Sequence, residues 1–215
     1  MHFILSINTA TPVVSVALHQ AGKLITAIEH HMAKSHSKLL PNMISHLLSL
    51  PQINMQQLSA IAVSAGPGSY TGLRVGVALA KGLCYGTNLP LISIDTLLTI
   101  VQSQLTHPLQ KGVYCPLLTT SGQYVYALIT DVHGHPLTKI HKCTIQDETL
   151  VKWLKKGPVY FIGTDIEKYA QVIDADPNAY FIKGIYPKAS YMGKPAYVKF
   201  LKKDFVKLAT FQPLY

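Results

Sequence analysis

Carboxylates are nearly missing from the first half of this 215-residue chain: ahead of Asp95 there is Glu29 and no other. That half can muster almost no carboxylate chemistry. Arginine is scarcer still, Arg74 being alone among 19 basic residues. Cys84, Cys115 and Cys143 are odd in number and widely spaced. They form neither a metal motif nor a disulfide framework, which fits a reducing cytosol. No stretch approaches the ~20 apolar residues of a membrane helix. The opening Met1-His2-Phe3-Ile4-Leu5 lacks a basic leader, and its apolar run breaks at Asn8. No membrane span or secretory signal is expected, and the expected location is cytoplasmic.

What the chain does have is apolar residues, 48% of the total, and a net charge of +9. The apolar share is ample for one large domain or two small lobes. Lys183, Lys188, Lys194, Lys199, Lys202, Lys203 and Lys207 crowd the C-terminal part against Asp204 alone. Such a face attracts polyanions, RNA among them, and equally serves as a solvated surface that keeps a protein soluble.

The pattern of strands repeats. Phe3 to Asn8 reads as a strand buried on both faces, Thr9 to Pro12 as a turn, Val13 to Leu18 as a second strand, and Leu24 to Ile28 as a third beyond a hairpin at Gly22. Val113 to Leu118, the turn Thr119 to Gly122, Tyr124 to Thr130, a hairpin at Gly134 and Leu137 to Ile140 repeat the order. Thr9 registers with Thr119, Thr11 with Ser121, and Val16-Ala17-Leu18 with Tyr126-Ala127-Leu128. Ala60 to Ser64 and Val159 to Gly163 then each enter a glycine turn and a helix. A duplicated α/β unit is expected, with lobes at 1–100 and 101–215. This is similar to the two-lobed, ribonuclease-H-like fold of the actin, sugar-kinase and Hsp70 ATPase superfamily. That resemblance implies phosphate-wrapping hairpin turns and an acid at the end of each first strand.

The most distinctive run is Gly66-Pro67-Gly68-Ser69-Tyr70-Thr71-Gly72-Leu73-Arg74-Val75-Gly76, after the strand Ile61 to Val63 and opening a helix to about Tyr85. A strand–glycine–helix junction presents free N–H groups that can bind an anion. It lacks the Gly-Lys-Ser/Thr of a Walker loop and the flanking glycines of a nucleophile elbow. The run resembles the signature of the TsaB (YeaZ) family. Ile7-Asn8-Thr9-Ala10-Thr11, His36-Ser37-Lys38-Leu39-Leu40-Pro41, Leu89 to Ile94 and Phe211 to Tyr215 agree in order and spacing. The match is strong over residues 1 to 100 and patchy beyond.

Two departures bear on chemistry. Asn8 stands where the family often has an acid, and Thr119-Thr120-Ser121 where it commonly reads Asp-Ala-Arg. Kinases of the superfamily need those carboxylates for Mg²⁺ or as base. No catalytic residue and no cofactor are expected. His36 is followed by Leu40, which breaks the His-x-x-x-His metal pair of TsaD-like enzymes, and His30-His31 and His133-x-His135 lack a third ligand. No metal is expected.

Gly72, Gly76 and Ala80 recur at four-residue spacing, and Val75, Leu79 and Leu83 form an apolar stripe on the same helix. The helix of about Ser37 to Leu50 is apolar at Leu39, Leu40, Met43, Ile44, Leu47 and Leu48, a wider sector than one core-facing stripe needs; Pro41 is expected in its first turn. The resemblance implies that these two helices pair with the same two of a partner, using Leu40, Met43, Ile44, Leu47, Gly72, Val75, Gly76, Leu79, Ala80 and Leu83. Gly76→Arg is then expected to leave the monomer folded and abolish association. The resemblance further implies a non-catalytic subunit that dimerises with a TsaD-like enzyme threonylcarbamoylating the adenosine beside the tRNA anticodon. It would be a homodimer when alone, would reach tRNA through the complex, and would meet a TsaE-like ATPase, with Arg74 and the lysine tail as helpers. The alternative is a nucleotide-dependent phosphotransferase or ATPase of the same fold, using Asn8, Thr9, Thr119, Gly122 and the Gly66 to Gly68 loop. A third reading is an independent RNA-binding module.

Overall fold

A computed structural model describes residues 2–31, 36–120, 123–144, 147–164, 166–167 and 176–215, with 36–38 described by backbone alone. Ser121 and Gly122 lie outside the described residues. The chain divides into two compact units: Met1–Thr99 with Pro187–Tyr215, and Ile100–Tyr186.

The first unit holds β1 (Phe3–Asn8), β2 (Val13–Gln20), β3 (Lys23–His31), α1 (His36–Ser49), β4 (Leu58–Ser64), α2 (Tyr70–Thr87) and β5 (Leu91–Ile94). Its sheet runs β3-β2-β1-β4-β5, with β1–β3 an antiparallel meander and β4 and β5 parallel to β1. Helix α3 (Thr96–Gln102) leads to the second unit, which holds β6 (Val113–Thr119), β7 (Tyr124–Ala127), β8 (His141–Thr144), α4 (Glu148–Leu154), β9 (Val159–Gly163) and β10 (Ala179–Lys183). Here the order is β10-β9-β6-β7-β8, again a three-strand meander followed by two strands parallel to its first. The two sheets are wired identically. The architecture is the duplicated, two-lobed α/β fold of the actin, sugar-kinase and Hsp70 type.

Strand β1 explains its own composition. From Ile4 to Asn8 every residue is inaccessible to solvent. Leu5 and Ile7 face the core built with Leu40, Leu47 and Val77, while Ile4 faces the one built with Ala60, Ala62 and Met192. Layers on both faces demand an apolar run without alternation. The second layer comes from helix α5 (Gly193–Leu201) and the turn before it, Ala189–Tyr191.

That packing corrects the expected boundary, which gave 101–215 to the second lobe: residues from Pro187 belong with the first unit. Ala189 N–H donates to the Ser15 hydroxyl at 2.8 Å, Val206 N–H to Leu91 O at 3.0 Å, and Leu214 N–H to Ala65 O at 2.8 Å. The third strand of the second unit is also displaced, to His141–Thr144 rather than Leu137–Ile140. The Asp131 carboxylate closes the preceding turn by accepting from the His133 and His135 amides. Leu137 N–H then bonds Ile129 O, and Thr138 Oγ1 accepts from Ile129 N–H. Regular pairing with β7 resumes only at His141. Pro41 sits inside α1 rather than in its first turn. The three cysteines are free and buried, and burial pushes the Cys84 thiol up to about 12. Among the described residues no helix is long and apolar enough to cross a membrane.

Candidate functional site

The signature loop leaves β4 at Ser64 and turns through a cis Gly66–Pro67 peptide into α2. Gly66 has φ +97°, and a Cβ there would overlap the Leu214 carbonyl. A Cβ on Gly68 would come within 2.6 Å of Ala10 O. The Ser69 amide donates to that same carbonyl at 2.8 Å, and the Ser69 hydroxyl accepts from Gly72 N–H at 3.3 Å, capping the helix. The two glycines are required because the chain's own backbone presses on them from both sides. What sequence offered as an anion cradle is a junction clasped by the β1–β2 turn and the C-terminal tail.

The strand ends around this loop are polar but carry little charge. Asn8 Oδ1 accepts from Ala10 N–H at 3.0 Å and Ser64 Oγ from Thr9 N–H at 3.3 Å. Asn8 Nδ2 and Thr9 Oγ1 are buried with no hydrogen-bond partner among the described residues. In the second unit, Thr120 Oγ1 donates to Tyr124 O at 3.0 Å. The carboxylate joined to this junction is Asp95, a residue that sequence reading passed over. Its neighbours Ile94 and Thr96 bond Ala65 and Gly66, and its Oδ1 accepts from Leu97 N–H at 2.7 Å and Leu98 N–H at 3.0 Å. Burial pushes its carboxyl up to about 6, against those two bonds and Lys199. With one oxygen committed to capping α3, it serves structure first. Among the described residues no three His, Cys, Asp or Glu side chains are grouped to hold a metal; only the backbone of His36 is described.

The interface candidates divide by burial. Leu40, Met43, Ile44 and Leu47 all lie in the first unit's core. Gly72 and Gly76 face inward, where a Cβ would overlap Thr9 O and Thr9 Oγ1 respectively, and Ala80 is buried on the same side. Seven of the ten expected contacts are thus used within the chain, and the two glycines owe their smallness to the β1–β2 turn. Val75, Leu79 and Leu83 remain partly accessible. They flank an outer stripe that sequence reading missed: Ala78, Gly82, Tyr85 and Gly86, all exposed, Tyr85 by 87%. Among the described residues, a Cβ on Gly82 or Gly86 would meet nothing within 4 Å. The missed signal was a second series of small residues at four-residue spacing, Ala78, Gly82 and Gly86, on another face of α2. Beside this stripe, Leu79 and Leu83 share an apolar groove of 420 Å³ with Ile44, Leu48, Ile53 and Met55.

Arg74 stands on the same outer face, one turn before Ala78. Its guanidinium carbon lies 4.1 Å from the Tyr70 ring centre and 5.7 Å from that of Tyr215. Arg74 Nε donates to the Tyr215 hydroxyl at 3.2 Å. Tyr70 and Thr71 are exposed beside it, whereas Pro67 is buried. In the lysine-rich region, Lys188 pairs with Glu29 at 2.8 Å and Lys199 with Asp204 at 3.3 Å, while Lys194, Lys202, Lys203 and Lys207 are exposed.

A family model described as "TsaD: tRNA N6-adenosine threonylcarbamoyltransferase" matches residues 28–173. The tRNA threonylcarbamoyladenosine biosynthesis protein TsaB of Haemophilus influenzae is 25% identical over 222 aligned positions, covering 99% of this chain and 92% of that protein. The protein of the same name from Buchnera aphidicola subsp. Schizaphis graminum is 30% identical, over 71% of this chain and 74% of that one. The solved structure of YeaZ from Pseudomonas aeruginosa superposes with a TM-score of 0.86 at 19% identity, covering 100% of each chain. The chain belongs to the TsaB (YeaZ) family.

Proposed function

We propose that this chain is a non-catalytic docking subunit in tRNA threonylcarbamoyladenosine biosynthesis, joining a TsaD-like catalytic subunit through the outer face of α2. The observation that carries this reading is the partly accessible apolar row Val75, Leu79 and Leu83, packed against the core on one side and set against the open small residues Ala78, Gly82 and Gly86 on the other. A glycine inside an exposed helix costs about 1 kcal/mol relative to alanine. None of the first unit's described residues approaches these two glycines closely enough to need that smallness, which leaves it to an approaching backbone. The groove beside the stripe adds apolar surface worth about 25 cal/mol per Å² once covered. The names of the relatives supply the pathway, and the self-filled signature loop and the amide at position 8 support the absence of catalysis. Alone, the chain pairs with a second copy through the same face. A TsaE-like ATPase and tRNA meet it through the complex, in the cytoplasm.

The experiment is co-purification with the TsaD-like subunit of the same organism, followed by light scattering on a sizing column. Ala78→Glu and Gly82→Arg place good helix formers at exposed positions. Both should stay folded, elute as monomers and release the partner. Folded variants that still associate would remove α2 from the interface. The phosphotransferase alternative draws on the orphaned Asn8 Nδ2 and Thr9 Oγ1. Steady ATP turnover by the purified chain, lost on Thr9→Val, would favour it.

A further inference from the structure

Resting on that docking role, we infer that a row of exposed lysines on α5 and the turn after it, Lys194, Lys202, Lys203 and Lys207, holds the phosphate backbone of the tRNA that the complex modifies. Charge is divided unevenly between the two units. The first carries eleven Lys and Arg against three Asp and Glu, the second eight against seven. The first unit's few acids are already engaged. Glu29 lies 2.8 Å from Lys188, Asp204 lies 3.3 Å from Lys199, and Asp95 spends one oxygen on capping α3. Tyr215, the last residue, adds a terminal carboxylate, and its ring packs on Tyr70 and Arg74 of α2. Among the described residues none of the four row lysines has an acid within ion-pair distance.

Stability accounts for only part of the row. Cations at the end of a helix and just beyond it offset the helix dipole, which suits Lys202 and Lys203. Lys194 stands in the first turn of α5, which holds no acid and where the positive end of the dipole repels a cation. What Lys194 gains lies outside the chain. Lys194 and Lys202 are eight residues apart, about 12 Å along the axis and within about a quarter turn of the same face. That length spans about three to four phosphates of a duplex strand, at about 3.4 Å each. Val198 and Leu201 are exposed between them. Two aliphatic side chains fall far short of the apolar centre of a protein interface or of a face that enters lipid. Charge is what this face offers, and the relatives named for tRNA threonylcarbamoyladenosine biosynthesis make tRNA the polyanion at hand. Lysine contacts of this kind position a nucleic acid without reading its sequence.

The test titrates labelled tRNA with the complex of the full-length chain and the TsaD-like subunit over a series of KCl concentrations. Each variant is first shown to co-elute with that subunit. Every phosphate contact removed should shrink the slope of log K against log salt by about 0.9. Lys202→Gln combined with Lys203→Gln should therefore shrink it by about 1.8, and equally for two tRNAs of different sequence. Lys194→Glu should shrink it by about 0.9 or more while melting no lower than the wild-type chain, because an acid suits that end of α5. Lys111→Glu, the same change of charge in the second unit, should leave the slope alone. A slope unmoved by the row variants, or shrunk as much by Lys111→Glu, would overturn the tRNA face while leaving α2 as the docking face. A wild-type chain that fails to co-elute with the TsaD-like subunit would overturn both. Row variants that lose binding to phosphatidylglycerol vesicles and keep their tRNA affinity would assign the face to lipid, and would also overturn it.

Discussion

Alanine at two glycines of one helix should push stability in opposite directions. Gly82 lies in the interior of α2 with open space where a Cβ would go. In the monomer, a Cβ at Gly82 meets none of the described residues, so Gly82→Ala gains only helix propensity, about 1 kcal/mol. For a chain of this size that raises Tm by about 2–4 °C. At Gly76 the new Cβ overlaps Thr9 Oγ1 and lies 3.2 Å from Thr9 Cγ2 and 3.3 Å from its Cβ. Thr9 is fully buried, so it has no free volume to retreat into. Forcing one extra carbon into such packing costs about 1–3 kcal/mol, of which propensity returns about 1. Gly76→Ala should therefore leave Tm unchanged or lower it by several degrees, about 4 °C per 2 kcal/mol at the least. Differential scanning calorimetry at neutral pH on both variants, each carrying Ala78→Glu to keep the chain monomeric, decides. If Gly76→Ala is stabilised as much as Gly82→Ala, the inward face has been misassigned and the docking face with it. The expectation that Gly76→Arg spares the monomer is replaced: that side chain has to displace the β1–β2 turn, and loss of the folded first unit should precede any effect on association.

Three further outcomes follow from single side chains. Asp95 has a carboxyl raised by burial from 3.8 to about 6, so its contribution to stability is greatest below pH 3.8 and declines as pH rises through 6. Asp95→Asn, which can still cap α3, should add stability at pH 7.5 and lose that advantage at pH 4 in urea titrations. About 3 kcal/mol is the upper limit, reduced by the residue's partial solvent contact. His19 is held below its ordinary 6.5 by burial, while its ring nitrogens lie 3.2 Å from Ser6 Oγ and 3.2 Å from Ser190 O. It contributes stability above pH 6.5 that is lost as pH falls, so His19→Gln should flatten the decline in stability between pH 7 and 5; an unchanged slope would refute this. Ser69→Ala should cost about 1 kcal/mol through loss of the cap on Gly72, read as a lower Tm at unchanged secondary-structure content.

Much of the fold was legible because its signals are local. β1 is apolar from Phe3 to Ile7 except at Ser6, whose buried hydroxyl is bonded to His19, and α2 begins at a serine that does cap it. The duplication was visible because both meanders keep their spacing through the first two strands. The third strand of the second unit was misplaced because the alternation at Leu137–Ile140 imitates a strand, while the Asp131 turn delays pairing to His141. The proposed partner face was harder. Small residues four apart occur on two faces of α2, and only Thr9, far earlier in the chain, distinguishes the packed face from the open one. The wide apolar sector of α1 was read as surplus, yet Leu40, Met43, Ile44 and Leu47 are consumed by the sheet and its neighbours. The contact of Arg74 with Tyr215 is a pairing across 141 residues that no local pattern encodes.

The first unit is built from two separated pieces of chain, with Ile100–Tyr186 inserted between them. A nascent polypeptide emerging from the ribosome can therefore settle its middle segment while its opening part still waits for its counterpart. Until the last stretch is translated, the Leu91 edge lacks Val206 and the signature turn lacks the Leu214 backbone against which it closes. Premature stop codons anywhere in that closing stretch should leave products that chaperones and proteases treat as unfinished, even with every residue of α2 already made.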